Sequence, residues 1–233
     1  MLERLDHVRV AALDPAVAAA EYGTLLSTAA HPWPRRDGAW RLDVGGTGLL
    51  LVPASSPDPS AAGVEALVFA GDELAPSLPE SRGVRLEVDG ECGPRAAAAP
   101  GDPRGAGRLD HAVVLTTDFD AALRLYGERL GLRLALDRSF PRRGVRILFF
   151  RIAGVTVEVA GPLDPPEMLA SDHFGGLAWR GSDVAAWRER LLVEGVTVSE
   201  DRVGHKPGTR VCTVSDRTAG VPTLLIGQDA GED

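Results

Sequence analysis

The clearest hydrophobic pattern in the chain begins at Leu109. His111, Val113 and Leu115 alternate with Ala112 and Val114, the period of two that a strand requires. Asp118 then occupies a helix-capping position, where its carboxylate accepts the free N–H groups of a first turn. Phe119, Ala122, Leu123, Tyr126 and Leu130 follow at spacings of three and four, predicting an amphipathic helix that Gly131 ends. Three strands are predicted next: Arg133 to Asp137, Val145 to Ile152, and Val155 to Ala160. Ala153-Gly154 is the two-residue hairpin turn between the last two. The unit reads β-α-β-β-β.

This unit is repeated. Leu5-Asp6-His7-Val8-Arg9-Val10 recurs as Leu109-Asp110-His111-Ala112-Val113-Val114, an offset of 104 residues. The same offset aligns Asp14 with Asp118, Ala18 with Ala122, Tyr22-Gly23 with Tyr126-Gly127, and Leu26 with Leu130. A further copy starts near Gly176, with Leu177-Ala178-Trp179 as its strand, Asp183 as its cap, and Val184 to Glu194 as its helix, closed by Gly195. Its other strands are predicted at Val196 to Ser199, Arg210 to Val214 and Val221 to Ile226. A degraded copy starts near Glu65, with strand Ala66 to Phe69, cap Asp72, a short helix interrupted by Pro76 and Pro79, and strand Val84 to Val88. It runs out into an Ala/Gly/Pro-rich connection, Glu91 to Gly107. The expected organisation is a degraded N-terminal βαβββ pair over 1–90, a linker over 91–108, and a better-formed C-terminal pair over 109–233 that carries the pocket. The fold class is α+β.

Composition narrows the function. The 233 residues are 44% hydrophobic, which suits a folded chain, and the net charge of −8 comes with no basic stripe to grip nucleic acid. No window approaches the ~20 apolar residues of a membrane span, and Met-Leu-Glu-Arg-Leu-Asp-His lacks the apolar core of a secretory signal. A cytoplasmic protein is expected, with Cys92 and Cys212 as free thiols.

Paired βαβββ units with Leu-Asp-His on the opening strand and Val155-Thr156-Val157-Glu158-Val159 on the closing one resemble the vicinal oxygen chelate superfamily. That superfamily includes glyoxalase I, bleomycin-resistance proteins and extradiol dioxygenases. The resemblance implies open, curled, cup-like mixed sheets, and in its enzymes a divalent metal held by one ligand from the first and last strand of each unit. Carried onto this sequence, the ligand positions are His111, Glu158, Gly176 and Leu224, of which only the first two offer a donor. His173 substitutes only if its loop folds back, and the N-terminal half offers only His7, Leu50 and Glu65. Imidazole and carboxylate suit iron, manganese, zinc or nickel, but two ligands rarely retain such an ion. The expectation is therefore no cofactor, with a divalent metal at His111 and Glu158 as the alternative. The bland reading of His7 and His111 is a repeated strand residue bonded to a neighbour.

The hairpin turn at Ala153-Gly154 sets Phe149 opposite Glu158 and Arg151 opposite Thr156, so Ile147, Phe149, Arg151, Thr156 and Glu158 share one face. This mixed face is expected to line the cup, with Arg151 and Glu158 as diagonal neighbours in reach of a charge-assisted contact. Either the two neutralise each other and maintain the cup, or Arg151 binds an anionic or carbonyl oxygen while Glu158, assisted by His111, moves a proton. Lys206 and Arg210, in the glycine-flanked stretch Gly204 to Arg210, are either anion-binding groups or parts of an exposed hairpin. Trp179 is either a stacking wall for a flat ligand or a core residue. The leading expectation is a protein that binds a small organic molecule without a complete metal site. The alternative is a metal-dependent dioxygenase, lyase or isomerase acting on a vicinal-oxygen substrate, with Glu158 and His111 catalytic. A homodimer is compatible with both.

Overall fold

A computed structural model describes residues 2–71, 82–89, 104–165 and 170–228. The first module is complete: β1 (Leu2–Ala12), α1 (Pro15–Leu26), β2 (Ala30–Pro32), β3 (Trp40–Val44) and β4 (Thr47–Pro53). The second retains β5 (Gly63–Gly71) and β6 (Arg85–Asp89); the cap, helix and prolines expected from Asp72 to Pro79, most of the linker, and Cys92 lie outside the described residues. The third has β7 (Arg108–Leu115), a helix that starts as α2 (Phe119–Ala122) and widens into a π-helical stretch (Leu123–Arg129), then β8 (Arg133–Phe140), β9 (Val145–Ile152) and β10 (Val155–Pro162). The fourth has β11 (His173–Asp183), α3 (Val184–Val193), β12 (Arg202–Val203), β13 (Thr209–Val214) and β14 (Thr223–Gln228).

The local chemistry that the sequence announces is in place. Asp14 Oδ1 accepts from the amides of Ala16 and Val17 at 3.0 and 3.1 Å, Asp118 Oδ1 from Ala121 at 2.9 Å, and Asp183 Oδ1 from Ala186 at 3.0 Å. Each thereby satisfies orphan donors of a first helical turn. The turn Ala153-Gly154 has φ of 44° and 90°, and Gly45-Gly46 makes the matching turn of the first module with φ of 58° and 88°. The duplication extends to register. In the first module β1 runs parallel to β4 with His7 beside Gly48, and in the third β7 runs parallel to β10 with His111 beside Thr156.

The strands form two open mixed sheets, ordered β2-β3-β4-β1-β5-β6 and β12-β13-β14-β11-β7-β10-β9-β8. By backbone packing the chain divides into two units, one of residues 1–6, 65–93 and 111–175, the other of residues 7–64, 94–110 and 176–233. In the first, Phe150 and Tyr126 pack ring against ring at 5.4 Å over a floor of Leu148, Val157 and Val159, all fully buried. In the second, Trp187 donates its indole N–H to the carbonyl of Leu25 at 2.8 Å, and Arg190 donates to the carbonyls of Thr24 and Leu25. Arg190 of α3 thus adds donors to carbonyls of the last turn of α1, where the Ser27 amide also caps Thr24 at 3.4 Å.

One predicted strand is absent. Val196 to Ser199 makes only a single bridge, Val198 to Val214. Two backbone bonds, Ser199 N–H to the Thr213 carbonyl and Ser215 N–H to the Thr197 carbonyl, both 2.9 Å, flank that bridge. The amide and hydroxyl of Thr197 bond the carboxylate of Asp216 at 3.0 and 2.6 Å, so a side chain takes part of the ladder. The neighbouring strand is instead the two-residue β12.

Candidate functional site

The register of β9 and β10 follows from the tight turn between them: Ile152 faces Val155, Arg151 faces Thr156, and Phe149 faces Glu158. The alternation divides the hairpin: Leu148, Phe150, Ile152, Val155, Val157 and Val159 are all buried, whereas on the other face Ile147, Phe149 and Glu158 are half-buried, Arg151 is exposed and only Thr156 is buried. Residues of β7 join the same open face through the parallel register, His111 beside Thr156, Val113 beside Glu158 and Leu115 beside Ala160, and each of the three is half-buried. β8 extends it through Arg133, opposite Arg151, and Leu136, opposite Phe149. The four strands thus present an apolar surface of Val113, Leu115, Ile147, Phe149 and Leu136 carrying a few charged groups.

At the inner end of this face His111 Nε2 lies 3.7 Å from Glu158 Oε2, with both side chains largely shielded from solvent. This corrects the expected pairing of Glu158 with Arg151. The carboxylate turns toward the imidazole on the next strand, and no ion pair joins it to Arg151 among the described residues. Arg151 lies one strand further out, exposed. The reading in which the two neutralise each other is therefore removed. What remains is a shielded carboxylate and imidazole 3.7 Å apart, with a solvated guanidinium in the same cross-strand row as His111, beyond Thr156. At 3.7 Å the pair is in ion-pair contact and not hydrogen-bonded, and the solvated guanidinium offers donors to an oxygen.

The residues do not fit a metal of the kind the family resemblance implies. Gly176 has φ of 141°, and the carbonyl oxygen of Pro222 stands 2.3 Å from where its Cβ would be. The backbone there leaves no room for any ligand side chain. Leu224 packs against an apolar cluster of Ala178, Val211 and Ile226. His173 is exposed at the start of β11. Among the described residues no three His, Cys, Asp or Glu side chains gather as a metal-binding group.

Trp179, Lys206 and Arg210 belong to the other unit. Trp179 is fully buried beside Leu225, and so is a core residue and not a ligand wall. Lys206 sits exposed in a tight hairpin, its carbonyl accepting from the amide of Thr209 at 3.2 Å, and Arg210 is bound to the carboxylate of Asp201. Both belong to the unit that lacks His111 and Glu158. Sequence spacing did not reveal Arg133 and Leu136, which the pairing of β8 with β9 brings onto the open face. Nor did it reveal a buried polar cluster: Asp172, 4% exposed, accepts from the Thr116 hydroxyl at 2.8 Å and lies 3.5 Å from Arg82 Nε, while Arg82 also reaches Asp118 at 3.2 Å. Burial pushes the Asp172 carboxyl above the usual range, against the pull of Thr116 and Arg82.

Residues 110–213 match the family described as Glyoxalase/Bleomycin resistance protein/Dioxygenase superfamily. The chain is 27% identical over 108 residues to ethylmalonyl-CoA/methylmalonyl-CoA epimerase of Cereibacter sphaeroides, covering 42% of this chain and 81% of that one. Among solved structures it is similar to BphC, a halotolerant catechol dioxygenase, with a TM-score of 0.69 at 13% identity over 97% of this chain and 87% of that one. It is likewise similar to a variant of 4-hydroxymandelate synthase from Streptomyces coelicolor, with a TM-score of 0.67 at 14% identity over 100% of this chain and 94% of that one. At these identities the two structures speak for the fold alone.

Proposed function

From a chain that belongs to the glyoxalase, bleomycin resistance protein and dioxygenase superfamily, we propose a protein that binds a small organic molecule on the open face of β7, β10, β9 and β8, without a complete metal site. The observation that carries this reading is the His111–Glu158 contact of 3.7 Å at the inner end of a half-buried, otherwise apolar surface. In this reading Val113, Phe149 and Leu136 cover the organic body of the ligand, and Arg151 takes an anionic or carbonyl oxygen. Burying one aromatic-sized contact area there contributes about 2 kcal/mol. The donor set argues against routing the function through a metal, since two ligands alone leave an ion weakly held.

The epimerase relative favours a second reading, proton transfer next to a carbonyl. Glu158 would take a proton from the carbon, the electron pair would pass to the carbonyl oxygen held by Arg151, and the proton would return with His111 fixing the carboxylate. Both readings begin from the same bound ligand, and the name of the relative makes acyl-CoA thioesters the first compounds to try. A thermal-shift screen of acyl-CoA thioesters, small carboxylic acids and antibiotics on the full chain, run with and without EDTA, tests the proposal. A hit whose shift survives the chelator and falls in Phe149→Ala is expected. A hit abolished by the chelator, or one indifferent to Phe149, would overturn it.

A further inference from the structure

The open face carries two arginines directly opposite one another. Arg133 of β8 is the register partner of Arg151 of β9, so the two side chains leave the sheet on the same side from backbones about 5 Å apart. Both are exposed, and neither makes an ion pair or a hydrogen bond among the described residues. Like charges opposed across a strand pair repel. The ion pair of Arg146 with Asp137 does nothing to relieve them: Asp137 is the partner of Leu148 and lies on the opposite side of the sheet, where Arg146 also covers the Phe119 ring at 4.8 Å. Glu158, the acidic residue these four strands place on the open face, is engaged with His111. A chain with a net charge of −8 thus holds two cations opposite one another where, among the described residues, no carboxylate answers them.

We propose that Arg133 and Arg151 form a clamp for a doubly charged oxyanion on an organic ligand, a phosphate ester or a dicarboxylate. The inference rests on the open-face reading above and names its ligand class. Two planar guanidinium forks side by side supply parallel N–H donors to the oxygens of one tetrahedral or paired-carboxylate group, and each bond is charge-assisted. The anion removes the repulsion that the free protein carries. With its charged end held at β8 and β9, the ligand runs over Phe149 and Leu136 toward Glu158 and His111. A single negative charge leaves one guanidinium unanswered, which is why a dianion fits better.

The test uses the full chain at low ionic strength, titrated with inorganic phosphate and, separately, with malonate, and followed through the arginine Nε–Hε signals in proton–nitrogen correlation spectra. Saturating shifts at Arg133 and Arg151 are expected, with affinity falling about tenfold in Arg133→Gln and in Arg151→Gln. Arg142→Gln, which removes the same charge from the exposed turn Pro141–Arg143, should change affinity less than about twofold. Tighter phosphate binding identifies a phosphate ester as the source of the dianion, and tighter malonate binding a dicarboxylate. Non-saturating shifts shared by all exposed arginines, or an equal loss in Arg142→Gln, would overturn the clamp. Without anion, Arg133→Gln should melt higher than the parent, and phosphate should raise the melting temperature of the parent only; a lower-melting Arg133→Gln that phosphate still stabilises would contradict it. These probes lack an organic body, so their failure would sink the clamp alone, whereas failure of the ligand screen and its Phe149→Ala control would sink the open face itself.

Discussion

Glu158 Oε2 approaches His111 Nε2 to 3.7 Å across two parallel strands, and Arg151, two residues along the hairpin face, is left to solvent. This places a carboxylate–imidazole pair and a separate guanidinium on the same open face, with no contact between them among the described residues. Changing one should leave the other working.

Glu158→Gln separates binding from chemistry. The variant keeps the shape of the face and loses the carboxylate charge, so the affinity for a bound ligand should stay within about threefold. If the protein moves protons, exchange of solvent deuterium into the ligand, read by proton spectra, stops in this variant. Loss of binding in Glu158→Gln would mean that the carboxylate itself holds the ligand.

Restoring a histidine to the third ligand position should fail. In Gly176→His a Cβ must enter 2.3 Å from the Pro222 carbonyl at a φ of 141°, so the backbone has to move. Strain of this kind costs about 2 kcal/mol or more, or about 5 °C in melting temperature. Thermal unfolding with and without zinc checks it: a lower melting temperature that zinc does not restore is expected.

The duplicated tyrosines should respond oppositely. Tyr22 donates its hydroxyl to the Thr218 carbonyl at 2.8 Å, whereas the buried Tyr126 hydroxyl has no partner among the described residues. Tyr22→Phe should therefore destabilise by about 1 kcal/mol, and Tyr126→Phe should be neutral or stabilising. Urea unfolding of both variants tests the difference.

Asp172 gives a pH dependence with a defined sign. Burial raises its folded pKa above the usual 3.8, so the folded state binds the proton more tightly than the unfolded chain does. Its contribution to stability is therefore fully present below the unfolded pKa and is lost as pH rises through the folded value. Relative to Asp172→Asn, the parent should lose stability as pH rises from about 4, and the two should run parallel once the folded value is passed. Denaturant midpoints of both proteins across the acid range are the measurement.

Much of this was legible in the order of residues. The caps Asp14, Asp118 and Asp183, the Ala153-Gly154 turn and the face shared by Phe149, Arg151 and Glu158 are local consequences of spacing, and they stand as expected. Strand parity also holds the answer for Trp179: three residues from Gly176, it must face the other side of the sheet, and it is buried beside Leu225. The contact of Glu158 with His111 was not legible from spacing, because it depends on which strand lies next to β10 and on a side-chain rotamer; only the family resemblance set the two together. Arg133 was missed for the same reason, since its opposition to Arg151 requires the β8–β9 register past an irregularity between Leu134 and Leu136. The failed strand at Val196 to Ser199 turned on Asp216, distant in sequence, capturing Thr197.

The most direct test of the central claim is backbone amide mapping of the tightest ligand from the screen, in EDTA, on the full chain. Shifts should concentrate at His111, Val113, Phe149, Arg151 and Glu158 and should be undiminished by the chelator. Shifts concentrated instead around Leu224 and Arg210, or a response that disappears with EDTA, would contradict it.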